Sequence, residues 1–192
     1  MQHIRGRYNI VSKELRLSGS GGQGLITGGI ILAEAALLDG LNVVQSQSYG
    51  PEARGGASKS EVIISKDEIS FPKVINCDIL LSLTQLSCDK YLQGLKSGGI
   101  LIIDNSVSIP QREDLIIYQV PIIDTARNKL KKTMVANIVA LGVIYSVSDI
   151  VTRESLEKAV LARVPKGTEE LNKAALNEGF KLVKSEYSTI ER

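Results

Sequence analysis

Residues 15–38 read LRLSGSGGQGLITGGIILAEAALL: a short alternating stretch, a turn crowded with glycine, and a long apolar run carrying one charge, Glu34. The segment Leu15 to Leu17 predicts a strand, and the run Leu25 to Leu38 predicts a helix. Asp39 and Gly40 supply its stop, because glycine takes the left-handed conformation found just past helix ends. Strand, glycine loop and helix together open a βαβ unit.

Working outward, Leu41 to Val44 predicts a second strand, and the polar, glycine-rich Gln45 to Ser58, with Pro51 inside it, predicts a long functional loop. Glu61 to Ser65 resumes an extended pattern, Lys66 to Glu68 forms a turn, and Ile69 to Phe71 is a candidate hairpin strand. Asp78 to Leu83 is a nearly continuous apolar run, the pattern of a parallel strand covered on both faces. Thr84 suits the N-cap of a helix running through Leu95, and Gly98 and Gly99 separate it from another buried strand, Ile100 to Ile103. Gln111 to Val120 adds a strand near the sheet edge. Met134 to Val147, Arg153 to Arg163 behind an N-cap at Thr152, and Glu169 to Tyr187 have helical spacing, with Pro165 and Gly167 dividing the last two. This order predicts a doubly wound α/β fold: a mostly parallel sheet with helices on both faces and a helical C-terminal third.

With 192 residues and 43% hydrophobic content, one substantial core can be buried, so residues 1–192 are expected to form a single domain. The 23 Lys and Arg nearly balance 21 Asp and Glu, which gives no general attraction to nucleic acid or an anionic membrane. No run approaches the roughly 18 apolar residues of a membrane span, and MQHIRGRYNI lacks the apolar region of a secretory signal; a cytoplasmic protein is expected. Cys77 and Cys88 do not form a CxxC pair and the single histidine is His3, so no metal or iron–sulfur site is expected from this chain alone, and both cysteines read as small core residues.

Residues 19–24, GSGGQG, contain G-x-G-x-x-G between the predicted strand and helix, where backbone N–H groups at a helix start can receive phosphate. Close helix–strand packing is the other reason for glycines there. The acidic residue that would hold ribose hydroxyls at the end of the second strand is missing: Gln45, Ser46 and Gln47 occupy that region, and Asp39 comes too early. An NAD or FAD dehydrogenase is therefore disfavoured. Within the loop, Gln23 is the side chain whose removal would leave every glycine in place. In the second motif, SQSYGPEARGGAS at residues 46–58, Arg54 stands among small residues and could make a paired contact with carboxylate or phosphate. Glu52 could orient it or simply stiffen the loop with it, and Tyr49 reads as a packing residue with a polar tip.

LSGSGGQG and QSYGPEARGGAS, in this order and spacing, resemble the gamma subunit, or fused gamma domain, of the 2-oxoacid:ferredoxin (acceptor) oxidoreductases, most like the 2-oxoglutarate enzymes. The similarity continues through CDILLSL, GGILIIDNS, MVANIVALG and ELNKAALNEGF. The resemblance implies a share in oxidative decarboxylation of a 2-oxoacid to an acyl-CoA, with electrons passed to ferredoxin or a related acceptor. It implies alpha, beta and delta partner subunits that hold thiamine diphosphate, magnesium and iron–sulfur clusters, since this chain has no GDG…NN segment and no cysteine set for clusters. It makes Gly19, Gly21, Gly22, Gln23 and Gly24 candidates for a coenzyme A phosphate site or a partner contact. Tyr49, Gly50, Glu52, Arg54, Gly55 and Gly56 become candidates for the interface facing the active site. No residue is assigned direct catalysis. A purely structural assembly subunit and a free-standing nucleotide-binding enzyme are the competing readings.

Overall fold

The computed structural model describes residues 12–48 and 56–190. Six strands, β1 (Ser12–Ser20), β2 (Asn42–Gln47), β3 (Ala57–Ser65), β4 (Cys77–Ser82), β5 (Leu95–Asp104) and β6 (Ile116–Val120), form one sheet in the order β2-β3-β1-β4-β5-β6. The neighbours β1, β4, β5 and β6 run parallel, whereas β3 lies antiparallel between β1 and β2. The sheet is thus mostly parallel, as expected, with one reversed strand wedged beside its centre.

Among the described residues six α-helices accompany the sheet: α1 (Leu25–Leu38), α2 (Gln85–Tyr91), a single turn α3 (Ile122–Asp124), α4 (Ala136–Ser148), α5 (Arg153–Arg163) and α6 (Glu169–Ile190). Strand periodicity sends Leu15, Leu17, Val62, Ile64, Ile79 and Leu81 into a core with α1, α4, α5 and α6. Ile63, Leu80, Leu101 and Ile103 point the other way, onto Cys88 and Tyr91 of the much shorter α2. Helices therefore cover both faces, but unequally. Residues Ala136 to Ile144 of α4 are all buried, because this helix lies between the sheet and α6 and has no solvent side. Its crossing with α6 is backbone to backbone: a Cβ on Gly179 would lie 2.1 Å from the Val139 carbonyl oxygen and 2.8 Å from Gly142 Cα.

Several local expectations are corrected by the pairing. The second strand reaches Gln47 and the third begins at Ala57, so the loop between them is shorter than the polar stretch Gln45 to Ser58. No strand forms at Ile69 to Phe71: residues 66–76 must carry the chain past β1 to reach β4 on its far side, and Arg16 holds that crossing by donating from Nη2 to the Val74 carbonyl at 3.0 Å. The helix expected through Leu95 ends at Tyr91 and one 3-10 turn later Leu95 already pairs with Cys77. Burial decides this, since Leu95 is only 3% exposed in the α2-side core. Gly98 and Gly99 consequently sit inside β5, opposite a register shift between Cys77 and Ile79. The last strand starts at Ile116 and not at Gln111, at the sheet edge.

Asp39 fastens the C-terminal helices to the first βαβ unit. Its carboxylate accepts from the Thr152 amide at 2.5 Å, from Thr152 Oγ1 at 2.6 Å and from Ser155 Oγ at 2.6 Å, so one side chain just past α1 serves the start of α5. Glu34 and Arg163 add an ion pair between the same two helices.

The α4–α6 crossing yields a stability test. Gly179→Ala places a methyl group against a backbone carbonyl that cannot rotate away, so the isolated chain should lose about 1–3 kcal/mol, read as a lower urea midpoint with an unchanged slope.

Candidate functional site

All four parallel strands end at one edge of the sheet, and the chain leaves β1 and β4 toward opposite faces, into α1 and α2. That divergence makes the crevice beyond β1 and β4 the switch point where open α/β sheets bind ligands. Ser18 ties the two strands together there: its Oγ donates to the Leu81 carbonyl at 2.8 Å, lies 3.0 Å from Ser82 Oγ, and its carbonyl accepts from the Leu83 amide at 3.0 Å.

The glycine loop emerges from β1 at this point. Gly22 and Gly24 have φ of 85° and 71°, a region that side chains with a Cβ rarely adopt. Gly19 has a different reason: a Cβ there would lie 2.2 Å from Gln23 Oε1. That oxygen accepts the Ser20 amide at 2.8 Å, so Gln23 closes the turn from inside. Removing the Gln23 side chain would keep every glycine but take this hydrogen bond out of the turn. Gly21 is exposed. Gly24 is latched from across the molecule, its carbonyl accepting from Asn137 Nδ2 at 3.1 Å. Beyond it α1 begins with no side-chain cap and no acidic residue in its first turn, which leaves its first N–H groups and dipole facing the crevice.

The second motif returns to the same edge. The start of β3, into which the second motif runs, pairs with the root of the glycine loop, with Gly19 opposite Ser58 and Ser20 opposite Ala57, and Ser58 Oγ donates to the Gly19 carbonyl at 3.3 Å. Tyr49, Gly50, Glu52, Arg54 and Gly55 lie outside the described residues, whereas Gly56 is half-buried at the entry to β3. The roots of both motifs are therefore adjacent.

Three features escaped the sequence reading. Asn137 is the first, a polar residue near the head of the apolar stretch MVANIVALG; a lone amide in such a helix is the signal that could have marked it. The second lies under the root of the loop, where Arg16 and Glu61 face each other in register on β1 and β3. Arg16 Nε donates to Glu61 Oε1 at 2.7 Å, Lys59 joins the same oxygen at 2.9 Å, and Tyr91 Oη donates to the Ala57 carbonyl at 2.9 Å. Charged residues interrupting apolar strands were the available signal. The third is buried Asp104 at the end of β5, which accepts from the Ser106 amide at 3.0 Å and the Ile123 amide at 2.8 Å, shaping the return toward the helical third.

Cys77 and Cys88 are buried. Burial pushes the Cys77 thiol up to about 11, and burial followed by the nearby Asp89 charge raises that of Cys88. Neither is a ready thiolate at neutral pH. Among the described residues no three His, Cys, Asp or Glu side chains are grouped to hold a metal ion, and no helix is long and apolar enough to cross a membrane.

A doubly wound α/β sheet with a glycine loop at its switch point defines a broad class. Residues 14–182 match the family model for pyruvate ferredoxin/flavodoxin oxidoreductase. The chain belongs to this family. It is 49% identical over 176 residues to the 2-oxoglutarate synthase subunit KorC of Methanocaldococcus jannaschii, covering 90% of this chain and 94% of that one. It is 42% identical over 179 residues to the KorC subunit of Methanothermobacter marburgensis, covering 89% and 96%. Among solved structures, the gamma subunit of a keto/oxoacid ferredoxin oxidoreductase from Geobacter sulfurreducens superposes with a TM-score of 0.84 at 47% identity, over 91% of this chain and 97% of that one. A 2-oxoglutarate:ferredoxin oxidoreductase from Magnetococcus marinus shares the fold with a TM-score of 0.82 at 21% identity, 91% of this chain overlying 31% of the longer one.

Because Gln23 closes the loop, Gln23→Ala should cost about 1 kcal/mol and leave the Ser20 amide without its acceptor. Hydrogen exchange at Ser20 should accelerate while amides in the centre of β4 keep wild-type protection.

Proposed function

We propose that this chain is the gamma-type subunit of a multi-subunit 2-oxoacid:ferredoxin oxidoreductase, with 2-oxoglutarate as the 2-oxoacid. The observation that carries the reading is the 49% identity to the Methanocaldococcus jannaschii KorC subunit along nearly the whole of both chains. The complex oxidises and decarboxylates its substrate to an acyl-CoA with thiamine diphosphate and magnesium and passes electrons through iron–sulfur clusters. On this reading those groups belong to alpha, beta and delta subunits, and residues 1–192 act as one cytoplasmic domain beside them.

Within that assembly the glycine loop, Gly19 to Gly24, serves as the anion-facing element, and coenzyme A phosphate is its proposed ligand. The uncapped start of α1 supports this, since its unsatisfied N–H groups favour a negative group. A protein of the same fold has been solved with 2-oxoglutarate, coenzyme A and succinyl-CoA bound. The residues from Tyr49 to Gly56 form the proposed face toward the partner active site, and Arg54 is its charged member. One observation favours the alternative of a purely assembling subunit: Gly19, Gly22 and Gly24 are already required by internal packing and turn geometry. A free-standing dinucleotide enzyme is disfavoured because Asp39 is committed to the start of α5.

Division of labour is tested by purification. The isolated chain should show no 2-oxoacid oxidation with thiamine diphosphate, magnesium, coenzyme A and an electron acceptor supplied, whereas the complex containing it should oxidise 2-oxoglutarate in preference to pyruvate. Turnover by a preparation free of other chains would overturn the reading. Arg54→Ala should lower turnover of the complex or raise its coenzyme A requirement without loss of assembly, and Arg54→Lys should restore it only in part, because an ammonium lacks the planar fork. Wild-type kinetics in both variants would return Arg54 to loop structure.

A further inference from the structure

Between α3 and α4, residues 127–134 read RNKLKKTM and form an exposed strap around the half-buried Leu130. The strap is held in shape: it enters through a π-helical turn, Thr125–Lys129, and the Leu130 and Lys132 amides return to the Thr125 and Ala126 carbonyls at 3.0 and 2.9 Å. Lys131 sits at φ 58°, a left-handed conformation that a side chain with a Cβ keeps only where its surroundings enforce it. Four cations and no carboxylate lie on this stretch. Lys129 is paired with Glu178, while Arg127, Lys131 and Lys132 have no carboxylate within ion-pair distance among the described residues.

At the end of the strap Met134 is 79% exposed, on the rim of a cavity of about 260 Å³ walled by Ile31, Val135, Ile138, Val164 and Leu171. Asn137, which latches Gly24, lines the same cavity. An exposed methionine on a cavity with an aliphatic wall, with the unpaired Lys132 in its lining and Arg127 and Lys131 on the same strap, is the surface expected where an apolar anchor is received and carboxylates flank it.

We propose that the strap and this cavity form a docking site for a partner protein chain that presents a protruding apolar side chain flanked by carboxylates. The proposal rests on the reading of this chain as a subunit. Met134 and the cavity take the apolar group; Arg127, Lys131 and Lys132 meet the acidic rim. A protein surface fits better than a phosphate compound, because a phosphate calls for donors converging on one point, whereas the unpaired cations are spread along the strap and only Lys132 of them lines the cavity. The rigid strap also loses little conformational freedom on binding. Through Asn137, docking would bear on the glycine loop itself.

The test adds purified chain to the oxidoreductase complex lacking it and measures affinity across a salt series, comparing wild type, the triple variant Arg127→Glu, Lys131→Glu, Lys132→Glu, and Met134→Asp. All three positions of the triple variant and Met134 are exposed, so both variants should melt as the wild type does. The triple variant should bind at least about ten-fold more weakly with a flattened salt dependence, and Met134→Asp should also bind more weakly. Wild-type affinity in both variants overturns the docking site. Wild-type assembly combined with a loss of coenzyme A affinity would assign the strap to phosphate recognition and equally overturn it. If the wild-type chain itself does not join the complex, the subunit reading falls and this proposal with it.

Discussion

The guanidinium of Arg16 is a charge placed in the middle of the central strand, only 6% exposed, and much of the sheet is arranged to accommodate it. A buried cation without a partner is strongly destabilising. Glu61 lies directly opposite in register on β3, which ties the identity of β1's neighbour to that pairing: a one-residue slip would carry Glu61 to the other face of the sheet. The Val74 carbonyl then receives Nη2 and holds the crossing from β3 to β4, and the Tyr91 ring lies 5.5 Å from the guanidinium. One ion pair thus locks the reversed strand, the long crossing and the short helix on the lightly covered face.

The same constraint bears on function through the root of the second motif. Lys59, Glu61 and Tyr91 hold the first residues of β3, and the loop carrying Arg54 feeds directly into them. On the opposite face Asn137 performs the corresponding task for the glycine loop by reaching Gly24 from α4. The described roots of the two motifs are therefore anchored from opposite faces of the sheet, and at its carboxyl edge Gly19 and Ser20 pair with Ser58 and Ala57. Such an arrangement sets the root of each motif by a packed element beneath it.

Much of this was legible in the chain itself. The apolar run after the glycines read as a helix, the short continuous apolar stretches Asp78 to Leu83 and Ile100 to Ile103 read as buried strands, and the helical third followed from its spacing. The errors fell where long-range contacts compete with local preference. Leu95 lies in a helical pattern yet is taken by β5, because pairing with Cys77 and burial outweigh one further turn of a short helix. The candidate strand at Ile69 to Phe71 failed because the chain had to cross β1.

For the site, the sequence by itself determined the chemical character of the two motifs: glycines where backbone must turn tightly, no acid at the end of the second strand, and an arginine among small residues. Those properties depend on residue type and near-neighbour spacing alone. Tertiary structure decided which groups are committed elsewhere. Gln23 is consumed by Ser20, Asp39 by Thr152 and Ser155, and Gly24 is held by an amide 113 residues away in the chain. It also brought Lys132 and Met134 of the strap to the cavity that Thr27 of α1 and Asn137 line. Sequence distance carries no information about such pairings; they follow from helices folding back on one sheet, where the burial of α4 brings Asn137 to the start of α1.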